Sequence, residues 1–267
     1  MRIIEVKSEN DLKDFVRFPF SLYSNNPYWV PPIIKEEIDH LNFLKKESGE
    51  KLSARYFLAY DGKTIVGRIA SLINWIEVEK VNRKKIRFGW FDVIDNIQVT
   101  TLLLNKVEEI GRENHLYSIE GPMSFSSMDK AGMLIEGFNE KNTMITWYNA
   151  AYYPNHLKKR GYKIQAKWIE YEIQLSSFDE SPEKVKKFSN LILNRYKLKI
   201  LNFNNRQEIL PYADKMFDLV GKTYDKLQTF VPIQKEEVNY YKKKYFKYFN
   251  LEFIKCIVNE SNELIAF

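Results

Sequence analysis

The sequence is short of the residues that hold small secreted domains and metal sites together. It has a single cysteine, Cys256, so no internal disulfide can form, which fits a reducing compartment. Its three histidines, His40, His115 and His156, are scattered and give no zinc-ligand spacing, so no metal site is expected. No apolar run approaches the roughly 18 residues needed to cross a bilayer. The opening MRIIEVKSENDLKDF lacks the apolar stretch of a secretory signal. A cytoplasmic location without a membrane partner is therefore expected. Ten glycines and nine prolines are spread thinly through the chain, so no segment reads as a flexible linker or low-complexity tract.

What the chain does have is core material. Hydrophobic residues make up 45% of its 267 residues and aromatics 15%, enough to pack one large or two ordinary domains. The net charge of +6 is unevenly placed: residues 1–180 carry 25 basic and 25 acidic side chains, residues 181–267 carry 16 and 10. The densest basic stretch, Lys242, Lys243, Lys244 and Lys247, is interleaved with Tyr240, Tyr241, Tyr245, Phe246 and Phe249. Basic and aromatic groups together suit phosphates and bases. However, Val238, Tyr241, Tyr245 and Phe249 recur at helical spacing, which reads as a buried stripe with the lysines on the wet face.

The first half reads as a run of alternating elements. Residues 2–6 form a strand, and Ser8 caps a helix that follows. A turn over residues 26–32 leads through Pro32 into a second helix over 33–41. Strands 54–60 and 64–73 flank the Asp61-Gly62 turn. A third strand, 86–94, has Ile86, Phe88 and Trp90 on one face and Phe91 and Val93 on the other, the pattern of a central strand. Asp95 and Asn96 offer caps for a helix with Val99, Leu103, Val107 and Ile110 on one face. A short strand at 116–119 ends at Gly121-Pro122. Residues 123–142 form a long irregular loop, of a kind that is often functional. A further strand is expected over 143–147, a short helix over 154–160 closed by Gly161, and a long strand over 162–175. The order predicts an α+β fold, a mixed sheet flanked by helices.

On these residues the chain resembles the GNAT superfamily of acyl-CoA N-acyltransferases. The run from Asn149 through Gly161 to Tyr162 looks like the family's late signature. The segments 29–32, 66–70 and 121–138 resemble a group of bacterial GNAT-like proteins. The resemblance implies a domain over residues 1–178. It also implies a coenzyme A cradle at the start of the crossover helix, where two small residues let backbone N–H groups approach the pyrophosphate. Here Ile97 and Val99 stand at those positions, and Leu157 stands where the family has a general-acid tyrosine. The first domain is therefore expected to be degenerate, with no tightly bound cofactor and no assignable catalytic or cofactor-binding residue. Acyl-CoA is the cosubstrate that the family implies. For the acceptor, the resemblance points to Ser124, Ser127 and Asp129 on the long loop, with Ser126 beside them, and to Asn149, Tyr152 and Tyr153 opposite.

The segment Phe230-Val-Pro-Ile-Gln-Lys-Glu-Glu-Val238 echoes Trp29-Val-Pro-Pro-Ile-Ile-Lys-Glu-Glu-Ile38 with one residue deleted. Elements expected around it (strand 198–201, helix 206–220, strand 251–259 and a strand from 264) follow the order of residues 1–67. Residues 182–267 thus read as the opening of a second GNAT-like domain, cut short. The expected activity is acyl transfer from acyl-CoA to a small-molecule or peptide amine. Two alternatives stand beside it: a Fem-like aminoacyltransferase using aminoacyl-tRNA, the one nucleic-acid partner considered, and a binding module that has kept only the fold.

Overall fold

The computed structural model describes residues 1–46, 51–143, 146–172, 183–227, 230–245 and 250–267, the side chain of Tyr245 excepted. The chain divides into two compact units, Met1–Ile164 and Gln165–Phe267.

The first unit has the expected α+β architecture. Strand β1 (Arg2–Glu5) is followed by helices α1 (Glu9–Leu22) and α2 (Ile34–Lys46). Strands β2 (Leu52–Asp61) and β3 (Thr64–Asn74) come next, then a short helix α3 (Trp75–Glu79) and strand β4 (Lys85–Val93). The crossover helix α4 (Ile97–Glu113), strand β5 (Ser118–Glu120) and helix α5 (Tyr152–Lys159) complete the unit. The sheet order is β1-β2-β3-β4-β5; the first three pairings are antiparallel and β4–β5 is parallel. This is the mixed sheet that the element order predicts, with β4 between two neighbours and leading into α4.

Period-two alternation makes the sheet two-faced. Phe57 and Ala59 of β2 and Ile69 and Ile73 of β3 pack with Val99, Leu103 and Val107 of α4. Tyr56 and Leu58 of β2 and Ala70 and Leu72 of β3 pack with Phe15 and Val16 of α1 and Leu41 and Leu44 of α2. Each fully buried Val, Leu, Ile or Phe side chain among these contributes about 1.5–3 kcal/mol. Helix α1 is started by a reciprocal capping box: Ser8 Oγ accepts from Asp11 N at 3.1 Å, and Asp11 Oδ2 accepts from Ser8 N at 2.9 Å.

The two faces of β4 differ from the simple alternation read in the sequence. Ile86 and Phe88 share a face with Phe91 and Val93, while Trp90 lies on the other. The cause is a bulge. Arg68 pairs with Asp92, but Ala70 pairs with Gly89, so β4 holds one residue more than β3 across this stretch. Trp90 absorbs it with φ of 44°, an uncommon conformation for a bulky residue. The extra residue flips the phase, and Trp90 and Asp92 turn toward α1 and α2.

The long strand expected over 162–175 is not formed. Residues 163–172 have no regular structure, with Trp168, Ile169 and Tyr171 exposed, and 173–175 lie outside the described residues. A strand needs a neighbour to take its backbone N–H and C=O groups. No described strand pairs with this segment; β5, the last strand of the sheet, is three residues long. Of the strand expected over 143–147, residues 144–145 lie outside the described residues and the rest is irregular.

The second unit contains helix α6 (Glu183–Arg195), strand β6 (Lys199–Leu201), helices α7 (Arg206–Tyr224) and α8 (Lys235–Tyr245), a 3₁₀ turn (Leu251–Phe253), and strands β7 (Cys256–Val258) and β8 (Leu264–Ala266). Its sheet is antiparallel in the order β6-β7-β8, the same pairing order as β1-β2-β3. Asn205 caps α7 by accepting from Gln207 N and Glu208 N, and Glu208 Oε2 reaches back to Asn204 N at 2.9 Å. In α8, Tyr241 is buried and Val238 half-buried, as the helical spacing requires; Phe249 lies outside the described residues.

Candidate functional site

A cavity of about 400 Å³ opens in the first unit, on the α1/α2 side of the sheet. Its wall is built from the turn before α2 (Trp29, Val30, Pro31, Pro32), from Trp90 and Phe91 at the bulge, and from Trp147 and Tyr148 ahead of α5. The turn is set by Asn26, whose Oδ1 accepts from Tyr28 N and Trp29 N while its Nδ2 donates to Tyr148 Oη at 2.7 Å. Tyr148 in turn donates to Phe138 O at 2.9 Å, tying the long loop to the wall.

The polar floor is a closed network. Arg68 Nε and Nη2 donate to Asp92 Oδ2 at 2.8 and 2.7 Å, and Arg68 Nη1 donates to Phe15 O at 2.8 Å. Asp92 Oδ1 accepts from the Tyr23 hydroxyl at 3.0 Å, and the Tyr23 and Tyr153 hydroxyls lie 2.9 Å apart. Val93 N donates to the Tyr153 hydroxyl at 2.8 Å. A phenol has one proton. Tyr23 spends its proton on the carboxylate, so Tyr153 donates to Tyr23, and both phenol protons are assigned. Burial, reinforced by the negative charge of Asp92, raises both phenols well above their ordinary ionisation range. They are donors at neutral pH and cannot act as bases. The floor therefore positions groups and holds α1, β3, β4 and α5 together.

Glu37 of α2 is the second carboxylate in the cavity. Its Oε1 accepts from Trp90 Nε1, which packs against Trp147 with ring centroids 5.8 Å apart. Asn142 also lines the cavity, and its Nδ2 has no hydrogen-bond partner among the described residues.

Of the six residues that the sequence singles out for the acceptor, the structure brings Asn149 and Tyr153 to the cavity wall. Asn149 is a clamp: its Oδ1 accepts from Leu134 N at 2.7 Å and its Nδ2 donates to Leu134 O at 3.1 Å, which pins the long loop. Ser124, Ser127, Asp129 and Tyr152 are not among the cavity-lining residues. The Ser124 hydroxyl donates to Asp129 Oδ2 at 2.7 Å, and Asp129 Oδ1 lies 3.5 Å from His40 Nε2, with both side chains buried. Tyr152 donates to Val93 O at 2.6 Å. Beneath the loop, the buried Arg87–Glu77 pair at 2.7 Å lets Arg87 Nη1 hold the Ser124 and Phe125 carbonyls at 3.0 Å each.

The residues that reading the sequence did not pick out as site residues are Tyr23, Glu37, Arg68, Trp90 and Asp92. Arg68 lies inside the 66–70 motif, which could have signalled it. Asp92 becomes its partner only through the bulge.

At the start of α4, the side chain of Val99 is buried in the core beneath Gly67, so it does not stand in the way of a ligand there. The helix end carries its own N-cap, Asn96. Asn96 Oδ1 accepts from Gln98 N at 2.9 Å, and Asn96 O accepts from Val99 N at 3.1 Å. The exposed carboxylate of Asp95 stands next to the cap and meets His156 Nε2 at 3.1 Å. His156 Nδ1 contacts Thr100 Oγ1 at 2.9 Å, and Leu157 is buried in the core. Among the described residues, no cluster of His, Cys, Asp or Glu could hold a metal ion, and no helix is long and apolar enough to cross a membrane.

No family model matches the chain. It is 26% identical to protein YghO of Escherichia coli (strain K12) over 230 residues, covering 86% of this chain and 58% of that protein. It is 25% identical over 163 residues to a bacterial ceramide synthase of Caulobacter vibrioides (strain NA1000 / CB15N), covering 61% and 42%. The chain thus spans about half the length of the curated relatives it matches. Among solved structures it is similar to a putative acetyl transferase from Pyrococcus furiosus, at 18% identity and a TM-score of 0.39, covering 64% of this chain and 100% of that one. It is also similar to a predicted acetyltransferase of Clostridium acetobutylicum solved with acetyl-CoA, at 13% identity and a TM-score of 0.39, covering 66% and 97%. Such scores are too low to carry function from one chain to another.

Proposed function

We propose that this chain belongs to an acyltransferase that moves an acyl group from acyl-CoA to an amine, and that its first unit supplies the acceptor site. The observation that carries the reading is the cavity itself: a concave wall rich in aromatic rings over a polar floor whose carboxylate is paired and whose two phenol protons are committed. Such a site binds and orients a ligand without supplying a nucleophile of its own. Direct transfer asks for little more, because the attacking atom comes from the acceptor. The curated relative named a ceramide synthase supports the same chemistry, since a ceramide is by definition an N-acylated amino alcohol.

In this reading the first unit does not hold the coenzyme. Backbone N–H groups that a pyrophosphate would take are engaged by Asn96, and the Asp95 carboxylate repels phosphate there. The second unit, whose strands pair in the order of β1-β2-β3, is the opening of a second GNAT-like domain that carries the donor site in the full protein. Calorimetric titration of residues 1–267 with acetyl-CoA tests this. The expected result is no micromolar binding, with amine-dependent release of coenzyme A appearing in protein made from the full open reading frame. A micromolar isotherm with residues 1–267, or bound coenzyme against residues 95–100, would contradict it.

A further inference from the structure

The two carboxylates of the cavity differ in what already holds them. Asp92 is neutralised by the two Arg68 donors and takes the Tyr23 proton on its other oxygen. Glu37 accepts one hydrogen bond, from the indole of Trp90, and among the described residues it makes no ion pair. A carboxylate offers about four acceptor sites, so Oε2 has capacity left for a ligand. The Trp90 bond to Oε1 holds the carboxylate against the indole. The rings of Trp29, Trp90, Trp147 and Tyr148 share the cavity with it. Ring faces attract organic cations, and more so where water is excluded.

From this we infer that Glu37 is the anchor for the ammonium group of the acceptor, and that the cavity selects primary amines with an apolar body. The inference rests on the acceptor reading of the cavity. For an acidic ligand, Arg68 of the floor is already paired with Asp92, and Lys130 is the other cation of the lining. A neutral alcohol leaves the Glu37 charge without a counter-charge. A primary ammonium satisfies Oε2 and lies against the aromatic wall, while its chain takes the space beside Val30 and Met133.

Tryptophan emission reports on the site directly, because Trp29, Trp90 and Trp147 line it. Residues 1–267 are titrated at neutral pH with n-octylamine, n-octanol and n-octanoate. Octylamine should bind at least about tenfold more tightly than the other two, the scale of one charge-assisted hydrogen bond. Glu37→Gln should lose that preference, while the exposed neighbour variant Glu36→Gln should behave as wild type. Equal binding of the three ligands by the wild type, or an undiminished amine preference in Glu37→Gln, would overturn the inference. If Glu37→Gln does not fold, the wild-type ranking decides by itself. Octylamine selectivity in a protein without acyl transfer upholds the anchor and counts against the acyltransferase reading. Acyl transfer with the same KM for amine in Glu37→Gln removes the anchor and leaves that reading in place.

Discussion

Arg68 and Asp92 meet with side chains only 7% and 10% exposed, so neither charge can be relieved by water if its partner goes. Asp92→Asn leaves a guanidinium buried beside a neutral amide, and breaking such a pair costs about 3–5 kcal/mol. Denaturant unfolding should show a loss of that size, against about 1 kcal/mol for Tyr23→Phe, which removes a single hydrogen bond. A loss under about 1 kcal/mol for Asp92→Asn would mean that the floor is not closed as described. The two phenols make a second prediction. Their folded-state ionisation lies above the unfolded value of about 10. The stability they confer is therefore fully present below about pH 10 and is lost as pH rises toward their folded ionisation range. Absorbance titration should show at least two of the 17 tyrosines ionising only once the fold opens. All of them titrating together with the fold intact would contradict the network.

At the scale of elements, the bulge in β4 decides what the site contains. The hydrophobic pattern of residues 86–93 made β4 legible as a central strand, because both faces are apolar. It did not make the bulge legible, since an extra residue leaves no mark on composition and only shifts phase. Hence Asp92, which simple alternation places on the face of Ile86 and Phe88, emerges opposite Arg68 only in three dimensions. The expected strand over 162–175 failed for the opposite reason: its residues alternate well, but pairing depends on a neighbouring strand that local sequence cannot guarantee. Next to the bulge, Gly89 is a close-approach glycine. A Cβ there would stand 2.6 Å from Met123 O, which is backbone and cannot swing aside. Gly89→Ala should push the start of the long loop away from β4, cost about 1–3 kcal/mol by overpacking, and weaken ligand binding in the cavity. Unchanged stability and binding would show that the loop does not rest on β4.

On the scale of the whole molecule, composition and element order were enough to place an α+β fold. The site was less legible, because its parts come from α1, α2, β3, β4 and the segment before α5, and no two of them form a spaced motif. Asn149 and Tyr153 were singled out from a motif, which carried no sign of their partners, Leu134 and Tyr23. The central claim is that the acceptor sits in the cavity of the first unit. Val30 is 58% exposed at its rim, so Val30→Trp can fill the entrance without disturbing the core. The decisive measurement is the rate of coenzyme A release from acyl-CoA with octylamine, in protein made from the full open reading frame, with and without this substitution. The amine-dependent rate should fall at least about tenfold in Val30→Trp while the melting temperature holds, a loss of roughly 1.4 kcal/mol in transition-state stabilisation. An unchanged rate in a folded Val30→Trp protein would contradict that claim.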